Sequence, residues 1–247
     1  MKSPASVQTC CPVVELRQYT LVPGGRETLI SLFEREFIET QEATGIKVIG
    51  QFRDLNNPNR FVWLRGFSDM NSRAMQLQDF YEGPVWKAHR DAANATMIDS
   101  DNVLLLRPAS PTSGFQLENA RRAPRGSTSE REGLLVATIY HLSNTKTVDF
   151  ASFFERELKP EFAKLAVSVV ASFVTETHPN TFPRLPVRED ANVFVWFSQF
   201  PNREAYEESA AAVAASRRQS AVGTKLTELT RGEPEVLLLS PASRSLL

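Results

Sequence analysis

The chain has 247 residues, of which 42% are hydrophobic and 23% are charged, and its formal net charge is -1. This composition is that of a globular protein with a sizeable core, and the length suits one large domain or two ordinary ones. The balanced charge gives no indication of a surface for nucleic acids or anionic membranes.

The leader, residues 1–12, lacks the apolar segment of a secretory signal, and its single Lys without Arg is not typical of a transit peptide. No apolar run reaches the ~18 residues that span a membrane. These features predict a soluble cytoplasmic protein. Cys10 and Cys11 are adjacent and cannot cross-link distant segments, so we expect incidental thiols and no disulfide scaffold.

Strand and helix patterns follow one another in the first half of the chain. A β-branched, aromatic-rich strand ends at the Pro-Gly-Gly turn, and a helix with one apolar face follows. Next come a hairpin, two helical segments separated at Gly83-Pro84, and a closing strand. The predicted ranges are 13–22, 47–55 and 60–67 for strands, 68–81 and 84–97 for helices, and 102–107 for the last strand. The order β-α-β-β-α-β is that of a ferredoxin-like unit.

The second half of the chain repeats the first. "SLFERE" (31–36) returns as "SFFERE" (152–157), an offset of 152 − 31 = 121. "LLLRPAS" (104–110) returns as "LLLSPAS" (237–243), an offset of 237 − 104 = 133. The difference of 133 − 121 = 12 residues is accounted for by one Pro-rich loop in the second copy, 177–190. Ordered matches with a single loop-sized discrepancy indicate a tandem duplication. In both copies the "FERE" segment is predicted to be a solvated helix face.

These patterns predict an α+β protein of two tandem ferredoxin-like (βαββαβ) units. The first domain is predicted at 12–110, a Pro-, Gly- and Arg-rich linker at 111–132, and a diverged second domain at 133–243. Each unit covers one face of its antiparallel sheet with helices, and the bare faces would aggregate unless they were paired. We expect the two sheets to pair face to face as a dimeric α+β barrel. An intramolecular pseudo-dimer is favoured, and cross-pairing in a homo-oligomer stays open.

Alternation along the strands divides their side chains between two faces. Arg17 and Tyr19 share a side in the first strand, and Trp63 and Arg65 share a side in the third. The aliphatic side suits the helices, so the mixed aromatic and basic side is predicted to line the barrel lumen. Arg17, Tyr19, Trp63 and Arg65 are therefore the candidate ligand-binding residues. The competing interpretation, which we weigh more heavily, is that the aromatic residues only pack the two sheets together.

The second copy differs at these positions. Tyr140 and Trp196 correspond to the aromatic residues, but Thr138 and Ser198 stand where the first copy has arginines. Any single pocket is therefore predicted on the side of the first copy.

Several segments of the first unit resemble the NIPSNAP family, which belongs to the wider dimeric α+β-barrel superfamily. They are "ELRQYTLVPGG" (15–25), "LFERE" (32–36), "FVWLRGFSDM" (61–70), "GPVWKA" (83–88) and "NVLLLRPA" (102–109). The second unit keeps the strands but loses the Pro-Gly turn and the "GPVW" segment. The resemblance implies the barrel architecture, and no catalytic set accompanies it. Animal members are linked to vesicle or mitochondrial biology, and wider relatives include cofactor-independent monooxygenases and heme-handling enzymes.

The common catalytic and phosphate-binding motifs are absent from the sequence. The three histidines, His89, His141 and His178, lack metal-ligand spacing, so we expect neither a metal nor a cofactor. His89 lies one helical turn from Trp86 and is the candidate proton-transfer residue.

Two functions therefore compete. One is a small-ligand-binding or structural and regulatory protein whose ligand is hydrophobic. The other is a cofactor-independent monooxygenase-like or isomerase-like enzyme, acting on a small hydrophobic aromatic substrate in the barrel lumen.

Overall fold

The computed structural model describes residues 9–129, 131–143, 146–218 and 220–247. Most of the predicted leader, residues 1–8, lies outside the described residues. Within the part described, no helix combines the length and the apolar character needed to cross a membrane.

The first unit contains four strands and four helices in the predicted order. They are β1 (Val13–Leu21), α1 (Gly25–Leu32), α2 (Ile38–Ala43), β2 (Lys47–Asp54), β3 (Arg60–Phe67), α3 (Met70–Glu82), α4 (Pro84–Asn94) and β4 (Met97–Pro108). A π-helical turn, Phe33–Phe37, joins α1 to α2. Strand β4 begins five residues before the predicted strand because its polar start pairs with the end of β1, with Met97 opposite Leu21.

The second unit repeats this order. Its elements are β5 (Leu134–His141), α5 (Thr147–Phe153), α6 (Lys159–Lys164), β6 (Val169–Thr175), β7 (Val193–Phe200), α7 (Arg203–Arg217), α8 (Ala221–Leu229) and β8 (Glu235–Pro241). A second π-helical turn, Phe154–Leu158, lies between α5 and α6, at the repeat position of the first turn. The duplication thus extends to an uncommon local helix geometry.

The eight strands form one closed antiparallel barrel in the order β1-β3-β2-β8-β5-β7-β6-β4. Two seams join the units: β2 pairs with β8, placing Arg53 opposite Ser240, and β4 pairs with β6, placing Arg107 opposite Val174. The predicted α+β barrel of tandem ferredoxin-like units is therefore confirmed, and it closes within a single chain.

Aliphatic and aromatic side chains from all eight strands fill the barrel interior. The residues include Val14, Leu16, Phe52, Val62, Leu64, Leu106, Ala137, Phe173, Val195, Phe197 and Leu239. The helices contribute no residue to this buried cluster, so it lies between the two sheets. An eight-stranded barrel is just wide enough for its own side chains to fill it. Among the described residues the interior is thus packed, and the mixed aromatic and basic face that was predicted to line it lies elsewhere.

The sequence-based prediction assigned the two strand faces the wrong way round. The face that carries Tyr19 and Trp63 lies under the helices, and the aliphatic face lines the barrel interior. Tyr19 and Trp63 pack with Leu29, Phe33 and Phe37, which belong to the helical layer of the first unit. Alternation identifies which residues share a face but not what covers that face. The narrow interior holds the face without long charged side chains, and the wider space under the helices receives the face that carries Tyr19, Trp63 and the arginines.

The sequence-based prediction for the cysteines is also corrected. Cys10 and Cys11 form a disulfide with each other, and only 2% of Cys11 is exposed. The pair closes no loop, but it is not a pair of loose thiols. The Cys10 N–H donates to the carbonyl oxygen of Phe115 (2.8 Å), which anchors the amino-terminal segment to the linker.

The first "FERE" segment is less solvated than predicted. Glu34 is buried and accepts hydrogen bonds from the Ser243 hydroxyl (3.0 Å) and the Arg244 backbone N–H (2.8 Å). The carboxyl-terminal segment of the chain therefore packs against the helical layer of the first unit.

Removal of one aromatic ring from the barrel interior should destabilise the whole chain. Phe173 is fully buried between the rings of Phe115 (5.0 Å) and Phe197 (5.8 Å). We expect Phe173→Ala to lower the free energy of unfolding by about 3–5 kcal/mol. Urea denaturation followed by circular dichroism measures this loss. Ile98→Ala, at a site that is 66% exposed, is the control and should change stability by less than ~0.5 kcal/mol.

Candidate functional site

The four predicted ligand-binding residues lie together between the sheet and the helices of the first unit. Arg17 and Tyr19 project from β1, and Trp63 and Arg65 project from β3. Antiparallel register places Arg17 opposite Trp63 and Glu15 opposite Arg65, which brings all five side chains onto one face. All are buried, Tyr19 being the most exposed at 8%.

Glu15 is the centre of a buried ionic cluster. Its Oε2 atom accepts from Nη1 of Arg17 and from Nε of Arg65, both at 2.7 Å. Its Oε1 atom accepts from Nε of Arg73, on α3, at 2.6 Å. One carboxylate thus receives three charge-assisted hydrogen bonds, which are among the strongest available to a side chain.

The cluster is not neutral. Burial alone would raise the pKa of Glu15, but the charges of Arg65, Arg17 and Arg73 outweigh burial and hold the pKa far below its ordinary value. One negative charge therefore faces three positive charges, an excess of two positive charges in a region shielded from water. Nη2 of Arg65 and Nη2 of Arg73 are buried and have no hydrogen-bond partner among the described residues.

Aromatic side chains surround the basic groups. The Tyr19 hydroxyl accepts from Nε of Arg17 at 2.9 Å, and the guanidinium of Arg65 lies 4.9 Å from the centre of the Trp63 ring. Burial raises the pKa of Tyr19, and the charge of Arg17 opposes that effect, so the hydroxyl stays protonated at neutral pH. The indole Nε1 of Trp63 is a further buried donor without a partner in the described structure.

A small cavity of about 30 Å³ lies beside the cluster; Trp63 and Tyr19 line it, and the three arginines do not. Its walls are mostly aromatic, and Tyr19, Gln41 and Tyr81 are among the lining residues. The other lining residues are Leu29, Phe33, Phe37, Trp63, Phe80, Trp86, Ala93 and Met97. This volume accommodates roughly two water molecules or one small polar group.

The inserted loop of the second unit reaches across to this site. Nη1 of Arg73 donates to Oδ1 of Asn180 (2.9 Å), and the Thr181 hydroxyl donates to the carbonyl oxygen of Met70 (2.9 Å). The Phe182 ring stacks on Tyr81 with 6.0 Å between ring centres and 24° between planes. The 12-residue insertion detected in the sequence therefore covers the charged cluster of the other unit.

The candidate proton-transfer residue, His89, is not in this group. It lies on α4 with 34% of its side chain exposed, and its Nε2 atom is 3.7 Å from Oε2 of Glu36. It does not line the cavity.

Sequence reasoning missed Arg73 and the covering loop. A signal for Arg73 was present, since it shares the buried face of its helix with Leu77, Phe80 and Tyr81 at helical spacing.

Residues 14–112 match the model of the NIPSNAP family. The first unit is a NIPSNAP domain. The match includes every residue of the ionic cluster that lies in the first unit, and it ends before the second unit begins. No curated protein matches the sequence.

Some solved structures resemble the whole chain, and others resemble a part of it. Two proteins named as candidate monooxygenases match both units together. The one from Lactobacillus acidophilus is 12% identical, with 96% of this chain and 98% of that chain covered and a TM-score of 0.54. The one from Fusobacterium nucleatum is 10% identical, with 96% of each chain covered and a TM-score of 0.56. These likenesses establish the barrel fold over the whole chain. An uncharacterised NIPSNAP domain protein from Burkholderia xenovorans is 19% identical, covering 40% of this chain and 95% of that one, with a TM-score of 0.37.

Neutralising the central carboxylate of the NIPSNAP domain should be strongly destabilising. Glu15→Gln leaves three buried guanidinium groups without a counter-charge, and we expect a loss of about 3–5 kcal/mol in the free energy of unfolding. Urea denaturation measures the change. Glu27→Gln removes an exposed partner of Arg53 and serves as the control, with an expected loss below ~1 kcal/mol. A loss as small as that of the control would show that the cluster contributes little to stability.

The Glu15 carboxylate should also make the free energy of unfolding depend on pH in the acid range. Because the folded pKa of Glu15 lies below its unfolded value of ~4.3, its contribution is fully present above that pH and is lost as the pH falls. The difference in unfolding free energy between wild type and Glu15→Gln should therefore be constant from pH 7 to about 5 and shrink below ~4. Parallel urea titrations across this range test it, and a difference that does not vary with pH would contradict the depressed pKa.

Proposed function

We propose that this protein binds a small organic anion in the sheet–helix space of its NIPSNAP domain. The observation that carries the proposal is the excess of two buried positive charges around Glu15, beside an aromatic cavity lined by Trp63, whose indole N–H has no partner among the described residues. Buried charge without a counter-charge is strongly unfavourable, so an anion that binds here gains the attraction of the excess charge, reduced by the cost of removing the anion from water.

The geometry favours a carboxylate or a group of similar size. A guanidinium presents a planar fork that matches two oxygen atoms, and Nη2 of Arg65 has no hydrogen-bond partner among the described residues. The indole N–H of Trp63 is a second donor. The present volume of about 30 Å³ suits the charged group alone. A hydrophobic body would require α4 to move outward, and that helix has only one fully buried residue, Ala93.

A second candidate function is a cofactor-independent oxygenase-like or isomerase-like enzyme that acts on a hydrophobic aromatic substrate. The favouring observation is a protonated Tyr19 hydroxyl beside Arg17, since these groups could stabilise an enolate. The names of the two barrel neighbours agree with this candidate only as an analogy of fold. Its site would be the sheet–helix space rather than the packed barrel interior, and its proton-transfer residue would be His89 only after a movement of α4.

The proposal also includes the location, the partners and the domain division of the protein. We place the protein in the cytoplasm, with no nucleic-acid or membrane partner, as an intramolecular pseudo-dimer with the domain division 12–110, 111–132 and 133–243. The two seams within one chain and the balanced charge support this view. A homo-oligomer would then form through outer surfaces rather than through barrel closure.

Calorimetric titration with sodium formate tests anion binding in the NIPSNAP domain, because formate matches the cavity in size. We expect formate to bind the wild type and formamide, its neutral counterpart, not to bind. Arg65→Gln should weaken formate binding by roughly tenfold or more, since a hydrogen bond to a charged group contributes about 1.5–3 kcal/mol.

The matched control is Arg60→Gln, on the same strand but 29% exposed at its side chain, which should leave formate binding unchanged. Circular dichroism confirms that each variant is folded. Equal binding of formate and formamide, or formate binding that does not respond to Arg65→Gln, would contradict the proposal.

A further inference from the structure

The second unit contains a larger cavity at the position that corresponds to the ionic cluster. Its volume is about 220 Å³, against about 30 Å³ in the first unit. The repeat offsets of 121 and 133 align the lining residues with those of the cluster. Val136, Thr138, Phe162, Ser198 and Tyr206 take the places of Glu15, Arg17, Gln41, Arg65 and Arg73, in that order.

The substitutions explain the extra volume. The long side chains of Arg17 and Arg65 become the short ones of Thr138 and Ser198, which are 7% and 1% exposed. Side chains of the helical layer are also smaller in the second unit, because α7 carries the small-residue run "SAAAVAAS" (209–216). Ala210, Val213 and Ala214 take the places of Leu77, Phe80 and Tyr81. No residue of α7 is fully buried, so the helix spans the cavity without filling it.

The aromatic frame of the site is retained. Tyr140 and Trp196 occupy the positions of Tyr19 and Trp63, and the Phe162 ring stacks on Trp196 with 4.4 Å between centres and 19° between planes. Tyr206 and Phe200 line another part of the wall. Flat, mostly apolar walls of this kind favour a flat aromatic ligand.

One positive charge faces the cavity from α7. The guanidinium of Arg217 lies 4.9 Å from the centre of the Phe162 ring, and its Nε and Nη2 atoms are buried without a hydrogen-bond partner in the described structure. Its charge acts on the Tyr140 hydroxyl, which opposes the rise that burial gives the pKa of Tyr140. Arg217 is the only charged residue lining this cavity among the described residues.

We propose that this cavity is a second, separate binding site, for a flat aromatic carboxylate of one or two rings. The carboxylate pairs with Arg217 and the hydroxyls of Thr138 and Ser198, and the ring lies against Trp196 and Phe162. The size agrees, since a sealed apolar cavity of about 150 Å³ already holds benzene. This site is independent of anion binding in the NIPSNAP domain, and the sequence alone had predicted no pocket here.

The test uses the full chain and two probes of equal shape, 2-naphthoate and the neutral 2-naphthamide, in calorimetric titrations. We expect naphthoate to bind the wild type, and Arg217→Gln to weaken it by roughly tenfold or more while naphthamide binding is unchanged. Arg218→Gln, at the neighbouring exposed arginine, is the charge control and should change neither.

A second variant tests the cavity itself. Ala210→Leu with Val213→Phe restores the side chains of the first unit on a half-buried helix face and should abolish binding of both probes. Ala212→Leu, on the exposed face, is its control and should leave both unchanged. Absence of naphthoate binding in the wild type, or binding that survives the filled variant, would overturn the proposal. Loss of both probes in Arg217→Gln would also overturn it, because the arginine would then support the fold rather than the carboxylate.

Arg65→Gln separates the two sites. It should weaken formate binding and leave naphthoate binding intact, so failure at one site is distinguishable from failure at the other.

Discussion

The contact of Glu15 with three arginines organises the first half of this molecule. It joins β1, β3 and α3 through one carboxylate, and through Arg73 it extends to a loop of the second unit. Both oxygen atoms of the buried carboxylate accept hydrogen bonds, and two guanidinium nitrogen atoms lack a partner among the described residues. The surrounding aromatic residues exclude water from the cluster, and the covering loop completes it. The arrangement of the helical layer, the loop and the small cavity therefore follows from one buried negative charge and its partners.

The two units fill the space between the sheet and the helices in different ways. Beneath the helices of the first unit, long charged side chains occupy the space and leave about 30 Å³. Beneath those of the second unit, small residues replace them and about 220 Å³ stays open. Both retain a tyrosine and a tryptophan on adjacent strands, and both rest on the same aliphatic barrel interior. Because the interior carries the common core, the outer layer of each unit could change without loss of the fold.

The sequence was sufficient to predict the order of strands and helices along the chain, the duplication and the place of the inserted loop in the sequence, because these depend on local patterns and on ordered matches. It was also sufficient to group Arg17, Tyr19, Trp63 and Arg65, since alternation within a strand is a local property. It could not predict which layer covers that face, which depends on the width of the closed barrel. The contacts of Arg73 with Glu15, 58 residues away, and with Asn180, 107 residues away, depend on tertiary folding that no local pattern records.

The covalent link between the units removes a constraint that a symmetric dimer must obey. When two identical chains close a barrel, each substitution occurs twice, and two-fold symmetry makes the two seams identical. In this chain the seam between β2 and β8 and the seam between β4 and β6 consist of different residues. A change that suits one site is therefore not imposed on the other. The loop over the ionic cluster is an example, since only one copy carries it, and it serves its neighbour rather than its own unit.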